Sequence, residues 1–193
     1  MCSMGLVKLF EFRTEVEEYK EVPWESEATE ELLEDIVEKK YEKYKKTYPT
    51  MAKELEERKN KVLKVAKDFV KMCRKIGGKP KVREYASRYF GTIDMVCYLD
   101  DVEKITSVWY DDGVLSVTTE KGTGSMHLPK GLDKADMKLK DVDAVEEIEF
   151  SNHITTYFGV KRFVDGFMKP EKIELDIYDD HVKMIFRSKE EIF

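Results

Sequence analysis

Helical spacing of the apolar residues dominates the stretch that closes at Gly77-Gly78, a pair that constrains the fold more than any other feature. Ahead of it, Leu33, Val37, Tyr41, Tyr44 and Tyr48 recur at spacings of 4, 4, 3 and 4. Leu55, Val62, Phe69 and Ile76 then fall every seven residues, with Val65 and Met72 between them. Only a helix brings such positions onto one face. Pro49 separates the two runs, because an interior proline removes a helix hydrogen bond. Helices are therefore expected at about 26–47 and 50–76. Ser26 reads as the first N-cap, followed by Glu27, Glu30 and Glu31 where the helix dipole favours acids. Lys39, Lys40, Lys43, Lys45 and Lys46 collect at the other end, in the same electrostatic sense. Two amphipathic helices of this length predict a long helical hairpin or coiled-coil arm, closed within one chain or shared in a homodimer.

Beyond Gly77-Gly78 a short helix is expected over 82–90, from the spacing of Val82, Tyr85, Ala86 and Tyr89. From Thr92 the alternation becomes that of strands. The expected strands are Ile93–Leu99, Ile105–Tyr110, Val114–Glu120, Ser125–Leu128, Val145–Phe150, Ile154–Phe158, Ile173–Tyr178 and Val182–Arg187, with an earlier one at 5–14. Asp112-Gly113, Gly122-Thr123-Gly124 and Asp179-Asp180 supply turn chemistry between them. The expected fold class is α+β: a charged helical arm over 1–78, then a mostly antiparallel sheet in meander order over 79–193.

Charge is segregated along the chain. Residues 11–38 carry 12 acids and 2 bases, whereas residues 39–83 carry 5 acids and 17 bases, within a net charge of −6. Such blocks belong to solvated helix faces, to mutual pairing, or to contact with a charged partner. Lys53, Lys61, Lys64, Lys71 and Lys75 share the helix face opposite Val62, Phe69 and Ile76, and Arg74 adjoins them. Tyr41, Tyr44 and Tyr48 lie just upstream as further partner-binding candidates. No secretory leader and no apolar run of membrane length is visible. The three cysteines, Cys2, Cys73 and Cys97, form no C-x-x-C pair and suggest neither a zinc site nor a disulfide framework. A cytoplasmic protein in a reducing compartment is expected.

Several stretches invite a chemical reading. Tyr98-Leu99-Asp100-Asp101 resembles the Y-x-D-D turn of reverse-transcriptase-like polymerases, where carboxylates hold two magnesium ions. The same aspartate pair recurs in VWYDDGVLSV and DIYDDHVKMI, each between apolar strands. Aspartate closes such reversals by itself, so all three read as turns. His127, His153 and His181 lack the local spacing of metal ligands. Lys121-Gly122-Thr123-Gly124-Ser125 lacks the lysine–hydroxyl pair of a phosphate loop and reads as a connection between strands.

The expectation is thus a non-enzymatic interaction or regulatory protein with no catalytic residues, metal or cofactor. It would recognise a macromolecule, most simply a protein, through the charged helices and the sheet surface. One alternative is a nucleic-acid-associated factor using the basic helix, or an acidic inhibitor occupying a basic nucleic-acid-binding surface of a partner. A metal-dependent enzyme assembled from scattered aspartates and histidines is the second alternative.

Overall fold

The computed structural model describes residues 24–84, 93–140, 145–151, 161–162, 167–178 and 180–188. The elements run β1 (Trp24–Glu27), α1 (Glu30–Thr47), a 3-10 turn (Pro49–Met51), α2 (Ala52–Lys75), β2 (Lys79–Glu84) and β3 (Ile93–Tyr98). They continue with β4 (Lys104–Asp111), β5 (Val114–Thr119), β6 (Gly122–His127), β7 (Lys134–Lys140) and β8 (Val145–Ser151). The last are β9 (Lys161–Arg162), β10 (Phe167–Met168), β11 (Pro170–Ile177) and β12 (His181–Ser188). The class is α+β, and the described strands are paired antiparallel.

Strand order departs from a simple meander. One sheet has seven strands in the order β1-β2-β3-β11-β12-β8-β7. The other runs β10-β4-β5-β6, with β9 pairing β4. The chain leaves the first sheet after β3, builds β4–β6 as a meander in the second, re-enters the first with β7 and β8, adds β9 and β10 against β4, and then sets β11 beside β3. The two-residue reversal between β4 and β5 is Asp112-Gly113, with φ of 43° and 82°. Positive φ at both central positions is what a tight hairpin requires, and Asp-Gly supplies it.

The first helix starts later than its acidic run suggests. Ser26 is not the cap: it pairs with Val82 inside β1, an edge strand with no apolar alternation to reveal it. Thr29 is the N-cap, its hydroxyl accepting from the Leu32 amide at 3.2 Å. Glu30 and Glu31 keep the favourable place in the first turn. The helix expected at 82–90 is also overturned where the structure describes it. Val82 lies in β2, where Pro80 and Val82 are buried at a period of two and β1 and β3 flank the strand. The remainder of that segment, the strands expected at 5–14 and Ile154–Phe158, and His153 lie outside the described residues.

The helices lie against the sheets. Leu33, Val37 and Tyr41 of α1 and Val62, Val65, Phe69, Met72 and Ile76 from the α2 segment are fully buried or nearly so. They share one core with Met95, Leu115, Met126, Leu175, Met184 and Phe186 from both sheets. The ring of Tyr110 on β4 meets that of Phe150 on β8 at 5.3 Å, a contact between the sheets. Gly122 and Gly124 seat α2 on β6: a Cβ at Gly124 would stand 2.5 Å from the Met72 carbonyl oxygen, and one at Gly122 2.5 Å from that of Lys75. The Gly-Thr-Gly stretch is therefore a strand whose missing side chains admit a helix, rather than a connecting loop.

The cysteines also differ from expectation. Cys73 and Cys97 form a disulfide across 24 residues of sequence. The buried face of the last turn of α2 crosses the buried face of β3, and that crossing brings the two thiols together. The inference from cysteine spacing to a reducing compartment loses its premise. No helix among the described residues is long and apolar enough to cross a membrane.

Candidate functional site

The structure divides the cations of α2 into two sets. The first faces α1. Lys59 pairs with Glu38 at 3.1 Å and Glu56 at 2.8 Å, and Lys67 pairs with Glu34 at 2.6 Å. Lys45 of α1 reaches back to Glu56 at 2.5 Å. Two ammonium partners hold the Glu56 carboxyl down at about 2, chiefly through the hydrogen bonds from Lys45 and Lys59. Hydrogen bonding raises the Lys59 and Lys67 ammoniums, to Glu56 and Glu34 respectively. Two of these contacts, Lys59–Glu38 and Lys67–Glu34, join the acidic block to the basic one, between neighbouring antiparallel helices.

The second set faces away. Lys53, Lys61, Lys64, Lys71, Arg74 and Lys75 are all exposed. Among the described residues none of these six lies in an ion pair. From Lys53 to Lys75 the stripe is about 33 Å long at the helical rise. Asp68 interrupts it in sequence, but its carboxylate accepts the His127 backbone amide at 3.0 Å at the end of β6. Glu57 remains as an exposed acid along the stripe. The helix is held rigidly behind these cations, by α1 on one flank and by β6 and the disulfide beneath. An array of exposed ammonium groups on a fixed line can bind phosphates through charge, without needing to recognise a base or a side chain.

The tyrosines do not join this surface as a group. Tyr41 is fully buried, so it belongs to the core and not to a partner-binding face. Tyr44 is partly buried and meets the Tyr41 ring edge-on at 5.6 Å. Tyr48 alone is open, 54% exposed at the C-cap of α1, ahead of the 3-10 turn that leads to α2 and Lys53. Their spacing marks the buried face of α1, which periodicity alone cannot tell from an aromatic binding face.

The aspartate pairs occupy turns. Asp100 and Asp101 are exposed in the reversal closed by the Val102 amide on the Leu99 carbonyl at 3.0 Å. Asp180 lies beside the His181 ring, 2.6 Å from Nδ1, in the turn closed by Tyr178 and His181. His127 stands by Asp68, not by His181's partners. Among the described residues no group of three or more His, Cys, Asp or Glu side chains could hold a metal ion.

One titratable centre was not foreseen. On the polar face of the seven-stranded sheet, Asp94 of β3 stands opposite Asp176 of β11 in register. Burial, and then the charge and hydrogen bond of Asp94, push the Asp176 carboxyl up to about 8. Around the pair, Glu174 accepts from Arg187 at 3.1 Å and lies 3.3 Å from Lys172 and 3.8 Å from Arg83. Glu25 accepts from Arg83 at 3.2 Å and from the Tyr98 hydroxyl. The positive charge of Arg83 offsets this rise only in part, so Asp176 can hold a proton at neutral pH. Alternation in IELDI and IDMVCY places each aspartate on a polar face, but only the crossover from β3 to β11 makes them neighbours.

No family model, curated protein or solved structure matches this chain.

Proposed function

We propose that this chain is a non-enzymatic interaction protein that binds the phosphate backbone of a nucleic acid through the outer face of α2. The observation that carries the reading is the division of the helix's cations. Lys59 and Lys67 are matched by acids of α1, while Lys53, Lys61, Lys64, Lys71, Arg74 and Lys75 stand exposed in one stripe, outside any ion pair among the described residues. Aligned, unmatched cations repel one another and cost stability, and a polyanion removes that cost by replacing its own condensed counterions. The stripe holds lysine, arginine and asparagine with Glu57 and Asp68, and no aromatic residue for stacking on unpaired bases. The contacts it offers are therefore to a backbone and independent of sequence, which favours a duplex over a single strand.

The test is fluorescence anisotropy with a mixed-sequence DNA duplex between about 50 and 200 mM salt. Four to six phosphate contacts give a log–log salt slope of about −4 to −5. Changing Lys64 and Lys71 together to glutamine should make that slope shallower by about 2, whereas Lys43→Gln on α1 should leave it unchanged. No binding at the lowest salt, or an equal response of both variants, would remove the proposal. Capture of an acidic protein instead of a duplex would assign the stripe to a protein partner.

A further inference from the structure

The last two turns of α2 carry three of the six cations, Lys71, Arg74 and Lys75, and Cys73 among them is tied by the disulfide to β3. Both cysteines are completely buried. The chain then doubles back over the bridge: the Gly78 amide donates to the Cys73 carbonyl at 2.8 Å. A Cβ at Gly78 would stand 2.3 Å from the Cys97 sulfur and 2.9 Å from the Cys73 sulfur. The backbone of Gly78 thus lies directly on the two sulfurs, with Leu99 beside it. Gly77, at φ of 91°, makes the reversal that brings it there. Thiol–disulfide exchange needs a thiolate to reach one sulfur, and here the main chain occupies that approach.

We propose that the Cys73–Cys97 disulfide is a redox lock on the basic face, set when the chain folds and sealed afterwards by Gly78. The proposal rests on the reading of that face as the binding surface, and it adds the condition under which the face is assembled. In the oxidised chain Lys71, Arg74 and Lys75 are held on a helix end that cannot leave the sheet. Unlocking takes one dithiol reductant. Its thiolate attacks one sulfur and forms a mixed disulfide, while the other cysteine leaves as a thiolate and takes up a proton. The second thiol of the reductant then closes its own disulfide and releases the second cysteine as a thiol. Two electrons and two protons reach the protein, and the dithiol leaves oxidised. Because the sulfurs are covered, this sequence waits on local opening of the Gly77-Gly78 crossing.

The experiment uses the full chain and three readouts. Alkylation under native conditions without reductant, followed by mass spectrometry, should leave Cys73 and Cys97 unlabelled. Dithiothreitol should reduce the bridge at least about tenfold more slowly in buffer than in mild denaturant, because exchange follows opening. In the reduced chain, amide exchange at residues 71–78 should rise at least about tenfold. Its salt slope for a DNA duplex should become shallower by up to about 3 as the three terminal cations cease to act together. The variant with Cys73→Ser and Cys97→Ser should match the reduced chain; if it does not fold, the reduced wild type supplies the same comparison. Native labelling of both cysteines, or identical exchange in the two redox states, would overturn the lock. Absence of duplex binding in both states would overturn the function reading instead, with the labelling and exchange results still deciding the lock.

Discussion

Replacing Gly124 by alanine should push the principal helix off its seat. Gly124 lies in β6 facing α2, and an added Cβ would stand 2.5 Å from the Met72 carbonyl oxygen and 2.8 Å from the Met72 Cα. Both atoms are main chain, so no side chain can rotate away. Ordinary contact begins near 3.4 Å, so strand and helix must part by about 0.9 Å. A gap of that size forfeits roughly a quarter to a half of each dispersion contact along the seam, which includes Phe69, Met72 and Ile76. Overpacking of this kind costs about 1–3 kcal/mol. Alanine recovers about 0.4–1 kcal/mol by restricting the unfolded chain. The net loss is about 1–2 kcal/mol, which for a chain of this size lowers the melting temperature by about 2–8 °C. Urea unfolding with the disulfide intact measures it, as a lower midpoint at unchanged slope. Ser125→Ala, one residue on and facing solvent, is the control and should stay within about 0.5 kcal/mol. A Gly124→Ala chain as stable as wild type, or more so, would mean that entropy alone acts there and that helix and strand are not in direct backbone contact.

Three further outcomes follow from other parts of the molecule. The unfolded Asp176 carboxyl loses its proton near pH 4 while the folded one keeps it to about 8, so the native state binds more protons between these limits. Stability should therefore fall as pH rises through that window, by at most about 1.4 kcal/mol per unit, and level off above it; urea midpoints from pH 5 to 9 would show it. Asp176→Asn should flatten that profile and exceed wild type at its alkaline end, and a flat wild-type profile would refute the assignment. Thr29→Ala removes the hydroxyl that accepts from Leu32 and should cost about 1 kcal/mol in the same denaturation assay, while Thr29→Ser should cost little.

The helices were legible because their periodicity is written in covalent spacing, and so was the hairpin at Asp112-Gly113, whose positive φ values call for those residues. The lysine stripe was also legible, as the face opposite Val62, Phe69 and Ile76. Misreadings arose where one local pattern serves two ends. Val82 to Phe90 fits a helical period, yet Val82 pairs in β2; Gly122 and Gly124 look like loop glycines, yet they admit α2. Tyr41 and Tyr44 keep the spacing of a helix face without saying whether that face meets core or partner. The acidic run that suggested a cap at Ser26 extended back into a strand with no apolar alternation to betray it.

By itself the sequence determined two amphipathic helices, a change to strands from Thr92 onward, and the sides of those helices that avoid the core. These follow from 3.6-residue and two-residue repeats, which act between near neighbours. The tertiary structure alone decided that β11 returns beside β3, that Asp94 thereby meets Asp176, and that Cys73 lies over Cys97. It also decided which lysines of α2 are matched by α1 and which are left outside. Those pairings join residues far apart in the chain, and they are set by how the buried faces pack, a property of the assembled surfaces that no local repeat encodes.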